Sequence, residues 1–106
     1  MPTQPPIDLT FPIEAIDHQQ GPEEAPITLV EYGDYECPYC GRAFPILKQL
    51  REELRDQLRL VFRHFPQNSV HKHASVAAQA AEAAGAQGKF WPMHATLYEN
   101  QAALEP

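Results

Sequence analysis

Long apolar runs are missing from this sequence. No stretch approaches the roughly 18 apolar residues that a membrane-crossing helix needs, so no spanning helix and no membrane partner are expected. Lys and Arg are absent from residues 1–36, which hold eight acidic residues. An N-terminal stretch with no basic segment and no apolar core is not a secretory signal as written. The reading is a cytoplasmic protein, or a periplasmic one if a signal was removed ahead of residue 1. Basic residues are few overall, 8 against 14 acidic, for a net charge of -6. That deficit argues against nucleic acid and anionic membrane surfaces, since both attract basic patches. Cysteine is scarce too. Cys37 and Cys40 stand alone, which excludes a multi-disulfide secreted scaffold. A bond between them would close too small a loop to staple a fold, which leaves chemistry, metal ligation or no role.

What is present is one domain at most, in 106 residues. Six of the eleven prolines fall in the first 26 residues. Such a stretch cannot build a helix and resists a central strand. Residues 1–20 therefore read as an N-terminal arm, either disordered or carrying a short edge strand around Leu9 to Ile13. Regular structure is expected after Gly21. The run Ile27-Thr28-Leu29-Val30-Glu31-Tyr32 has β-forming composition between Pro26 and Gly33. From Pro38 to about Leu58 the period becomes helical, with Cys40, Phe44, Leu47, Leu50 (or Arg51), Leu54 and Leu58 recurring every three to four residues. Arg59 to Phe65 reads as a second strand, ended by Pro66. Strand, helix and strand across 27–65 make a βαβ unit, so the two strands should be parallel. Two helices follow, at about 71–84, with Ser69 as cap and Gly85 as stop, and at about 89–101. Pro92 fits the second only in its first turn.

The chemistry concentrates at Cys37-Pro38-Tyr39-Cys40, where the first strand gives way to the long helix. A helix N-terminus offers unpaired N–H groups and partial positive charge, which stabilise a thiolate. Pro38 suits the first helical position. Cys37 is then the exposed nucleophile, and Cys40, one turn further in, is set to attack a mixed disulfide formed on Cys37. Pro45 lies inside the helical pattern, where it costs about 3 kcal/mol, so a packing reason is expected. Glu31 shares a strand face with Ile27 and Leu29. If buried, it favours its protonated form and could exchange a proton with Cys40. Otherwise it is a carboxylate at a strand end reaching water.

The run Gly33-Asp34-Tyr35-Glu36-Cys37-Pro38-Tyr39-Cys40, with Ile27 to Tyr32 before it, resembles thioredoxin-fold proteins of the DsbA-like group of thiol–disulfide oxidoreductases. So do Phe62-Arg63-His64-Phe65-Pro66 and Gly88-Lys89-Phe90-Trp91 followed by Met93-His94. The resemblance covers roughly residues 21–104. It implies an α/β chain: a thioredoxin-like βαβ unit followed by a helical insertion. By the same resemblance Cys37 is nucleophilic and Cys40 resolves. Glu31 matches the family acid six residues before the first cysteine, and Pro45 matches the kinking proline of thioredoxins. Pro38 and Tyr39 complete the motif. Protein or small-molecule thiols and disulfides would be the substrates, and no metal or organic cofactor is implied. The family continues into further strands and a cis-proline segment that this chain lacks. Residues 21–106 therefore read as a partial thioredoxin-like domain, a fragment or a chain completed by another copy or a partner. Apolar surface is then expected on Leu29, Val30, Phe62 and the helices.

Three other readings compete. Pro-Tyr between the cysteines also occurs in glutaredoxins, which points to glutathione-dependent reduction. A non-catalytic truncated fragment or oligomerising module is the second. The third is a zinc module using Cys37 and Cys40 with His64, His71 or His73, although their spacing does not match common zinc modules. Otherwise His71 and His73 read as solvated, His64 and His94 as packing residues, and Phe90, Trp91 and Met93 as core. Arg63 is expected to pair with Glu31 across the sheet.

Overall fold

A computed structural model describes residues 12–104. Its elements run β1 (His18–Gln20), β2 (Ile27–Gly33), α1 (Pro38–Leu54), β3 (Leu58–His64), α2 (Ala74–Gly85) and α3 (Phe90–Glu99). The sheet order is β1-β3-β2. β2 and β3 are parallel, with Leu29 opposite Leu60 and Glu31 opposite Phe62. This is the expected α/β arrangement: a βαβ unit followed by helices. No helix among the described residues is long and apolar enough to cross a membrane.

The edge strand is not where the arm's composition suggested. Leu9 to Phe11 lie outside the described residues, and Pro12 and Ile13 are not in a strand. Instead His18–Gln20 pairs antiparallel with Phe62, Val61 and Leu60 of β3. It ends at Gly21, whose φ of 90° is a backbone shape that favours glycine.

Packing centres on β3, where Leu58, Leu60, Val61 and Phe62 are all buried. Around Phe62 gather Tyr35, Ala77 and Ala81 of α2, and Phe90, Leu97 and Tyr98 of α3. Small side chains at Ala74, Ala77 and Ala81 form one stripe of α2, which lets the larger α3 side chains approach closely. Cys40 and Phe44 of α1 join this cluster only as half-buried members.

Element ends shift for local reasons. Helix α1 stops at Leu54, four residues early, because Leu58 is drawn into β3 and buried. A 3-10 turn, Arg55–Gln57, makes the connection. Helix α2 starts at Ala74, and Ser69 does not cap it. The residues before it fold into turns, with the His71 N–H donating to Gln67 O at 2.8 Å and the His73 N–H donating to the Glu36 carboxylate. Helix α3 ends at Glu99 because Asn100 turns back and donates from Nδ2 to Thr96 O at 2.8 Å. Pro92, third in α3, is in the first turn as required.

Candidate functional site

The loop between β2 and α1 is organised by a residue that sequence reasoning passed over. Asp34 is buried, at 4% exposure. Its Oδ1 accepts the Glu36 N–H at 2.8 Å, and its Oδ2 accepts the Gln67 N–H at 3.0 Å and meets His71 Nδ1 at 2.7 Å. Burial pushes the carboxyl up, but these hydrogen bonds and the His71 charge outweigh it and hold Asp34 below its ordinary value. The Asp34 carbonyl accepts the Cys37 N–H at 3.1 Å. One residue thus ties the cysteine turn to the segment before α2. His71, expected in solvent, is corrected by the same contact: it serves as the partner of a buried acid. A short polar residue in the turn before a helix was the available signal.

Cys37 is the N-cap of α1, with φ −69° and ψ 122°, and Pro38 follows at the first helical position. No side chain caps this end, and no acidic residue stands in its first turn. Its free N–H groups and partial positive charge are therefore not spent on a carboxylate. Both cysteines are half-buried free thiols. Tyr39 projects outward at 76% exposure, with the Arg42 guanidinium 4.6 Å from its ring centre.

The far end of the chain holds the same turn from the other side. Gln101 Nε2 donates to the Tyr35 carbonyl at 2.8 Å and to the Cys37 carbonyl at 2.9 Å. Gly41 makes room for this, because a Cβ there would collide with the Gln101 carboxamide. Tyr98 reaches up from α3, its buried hydroxyl beside Cys40 and beneath Gly33. No local pattern identifies Gln101 or Tyr98 in the sequence, since both contacts cross more than fifty residues.

Glu31 lies within electrostatic reach of Cys40. Burial raises the Glu31 carboxyl to about 7. Glu31 borders a cavity of about 110 Å³ with Phe44, Leu60, Trp91 and His94. Burial also raises the Cys40 thiol, and the nearby Cys37 sulfur and Glu31 carboxylate raise it further. His94, at 5% exposure, is a core residue with Nδ1 2.8 Å from the Tyr35 hydroxyl. Burial first, then the His64 and His18 charges, lowers it to about 4, so the ring is neutral near pH 7.

Two expected partnerships are corrected. Arg63 faces Tyr32 in the register, while Glu31 faces Phe62, so Arg63 and Glu31 lie on opposite faces of the sheet. Arg63 pairs instead with Asp17, at 2.8 and 3.0 Å. Helix α1 runs unbroken through Pro45, which is exposed, so the expected packing reason does not appear among the described residues. Of the histidines considered as zinc partners of the cysteines, His64 engages Glu82 and His71 engages Asp34, while His73 Nε2 is buried without a partner among the described residues.

Comparison with known proteins places this geometry. A family model described as thioredoxin matches residues 15–106. The chain is similar to a thioredoxin-like oxidoreductase from Silicibacter pomeroyi, with a TM-score of 0.72 and 35% identity, over 80% of this chain and 47% of that one. It is also similar to Pseudomonas aeruginosa DsbA2, with a TM-score of 0.69 and 31% identity, over 84% of this chain and 49% of that one. Among curated proteins, the Na(+)/H(+) antiporter NhaA 1 of Salinispora arenicola is 52% identical over 101 residues. Those residues are 94% of this chain and 15% of that protein, so the chain spans only a small part of the curated relative's length.

Proposed function

This chain belongs to the thioredoxin family, and on that premise we propose that it is a thiol–disulfide oxidoreductase working through Cys37 and Cys40. The observation that carries the reading is the uncapped start of α1 at Cys37, with Cys40 one turn inward and within electrostatic reach of Glu31, whose carboxyl is raised to about 7. The Cys37 thiolate attacks one sulfur of a substrate disulfide, forming a mixed disulfide and releasing the first substrate thiolate. Cys40 then loses its proton to Glu31 and attacks the Cys37 sulfur. The second substrate thiolate leaves, and the Cys37–Cys40 disulfide holds the oxidising equivalent. Run backwards, the same steps oxidise a substrate dithiol. Glu31 suits the proton transfer because an acceptor near pH 7 can take and return a proton at modest cost. Tyr39, exposed beside the motif, is the side chain best placed to meet a protein or small-molecule thiol substrate.

Insulin reduction or dithiol-peptide reoxidation tests this. Cys37→Ser is expected to lose at least about a thousandfold in rate while keeping its fold, because the attacking atom is gone. Equal rates for the two chains would sink the reading.

Two observations support an additional role in assembly. Among the described residues β2 pairs on one edge only, and α1 has no buried residue. The match to a segment of a far longer antiporter agrees with a unit whose surroundings lie in other chain. The sheet would then be completed by a second copy, a partner or adjoining chain. Light scattering and urea unfolding of the isolated chain test this. A stable monomer that unfolds cooperatively would count against it.

A further inference from the structure

Away from the cysteines, three side chains from distant parts of the sequence converge. His18 of β1, His64 at the end of β3 and Glu82 of α2 each bring one ligand atom to within 4.8 Å of the others. His18 Nε2 lies 2.5 Å and His64 Nε2 lies 3.0 Å from the same oxygen, Glu82 Oε2. We propose that these residues bind a divalent transition-metal ion of the Zn²⁺ class, which clamps β1 to β3 and α2.

Donor chemistry supports the choice of ion. Two imidazoles and a carboxylate suit a borderline ion and leave oxygen-seeking Mg²⁺ and Ca²⁺ poorly served. A tetrahedral ion with bonds of about 2.0–2.1 Å separates its donors by roughly 3.3 Å. The two spacings to Glu82, 2.5 and 3.0 Å, need a small opening, and all three donor atoms already lie within 4.8 Å of one another, with the Glu82 side chain half-exposed. The fourth position then faces solvent and takes water.

Preorganisation supports the site further. The His18 ring is stacked on Phe90, with centroids 3.5 Å apart and planes 3° from parallel. The His64 ring stands edge-on to Phe62 at 5.3 Å and to Phe90 at 6.0 Å. The two imidazole planes lie 74° apart, so the rings meet near Glu82 without stacking on each other. Nδ1 of His64 is buried with no hydrogen-bond partner among the described residues, and its Nε2 is the ring nitrogen that faces Glu82. Helix α2 is pinned by Ala77 and Ala81, and this fixes where Glu82 starts. β1 has only three residues, so an ion bridging it to two other elements would hold the arm in place.

Without metal, the same groups form two hydrogen bonds to one oxygen, and an experiment separates the cases. The full chain carrying Cys37→Ser and Cys40→Ser, which removes thiolate competition, is titrated with Zn²⁺ by calorimetry and with Co²⁺ by absorption. One ion per chain is expected. The Co²⁺ spectrum should lack sulfur charge-transfer bands, and the melting temperature should rise with Zn²⁺ concentration. Glu82→Gln, nearly isosteric and half-exposed, should keep the fold and weaken binding about tenfold or more. His18→Ala should weaken it at least as much. Absence of stoichiometric binding, or equal affinity in the parent and Glu82→Gln chains, would overturn the proposal.

Discussion

The 10-residue α3 buries Phe90, His94, Leu97 and Tyr98, whereas the 17-residue α1 buries nothing. Both helices carry apolar stripes, so composition does not explain the contrast. α3 is pressed between α2 and β3, while the stripe of α1 (Phe44, Leu47, Leu50, Leu54) is only half covered. The two cysteines ride on the thin helix. They are held at its N-terminal end by contacts from the dense side: Asp34 below, Gln101 and Tyr98 from the region of α3. The exchange chemistry proposed for them needs a fixed turn and an accessible sulfur. Anchoring one end of a loosely packed helix supplies both.

The contrast can be broken most severely on the dense side. Phe62 is 1% exposed at the centre of the cluster, so Phe62→Ala should cost about 3–5 kcal/mol in urea unfolding. Leu47→Ala on α1, half-buried, should cost only about 1 kcal/mol. Comparable losses at the two positions would erase the distinction.

The anchor between the two sides comes next. Asp34→Ala removes a buried carboxylate and strands the Glu36 and Gln67 N–H groups, for an expected loss of about 3 kcal/mol. Because the folded-state carboxyl is lowered, its contribution is fully present above the ordinary value of 3.8 and fades as pH falls below it. A wild-type acid limb that persists unchanged in the variant would show that Asp34 is not its source.

Glu31 gives a smaller effect than Asp34, with the opposite sign. Its carboxyl is raised from 4.5 to about 7, so folding favours the protonated form. Its full benefit is present below pH 4.5 and is lost as pH rises towards 7. Glu31→Gln should therefore be more stable than wild type at pH 8, by roughly 2 kcal/mol after allowance for partial exposure. It should also slow mixed-disulfide resolution about tenfold and flatten that step's pH profile near 7. A profile that keeps its inflection without Glu31 would reassign the proton acceptor.

Much of the scaffold was legible because it rests on local rules. Alternation marked β2, the change to a helical period marked α1, and Ala content with a following glycine marked α2. The cysteine pair at a strand-to-helix junction was legible for the same reason, since the strand pattern ends and the helical period begins around Pro38. The ends of α1, α2 and α3 were less so. Each is decided by a competitor for the last residues: Leu58 by β3, His71 by Asp34, and Asn100 by its own side chain turning back.

The sequence by itself determined where the two thiols stand relative to a helix start, and that Glu31 shares a strand face with Ile27 and Leu29. Those are matters of spacing and periodicity, and spacing is local. Only the tertiary structure decided which groups surround them. Parallel register put Phe62 beside Glu31 and sent Arg63 to the other face with Asp17. The return of α3 brought Tyr98 and Gln101 to the cysteine turn, and β1 brought His18 to His64 and Glu82. Such contacts depend on how elements dock, which no window of neighbouring residues encodes.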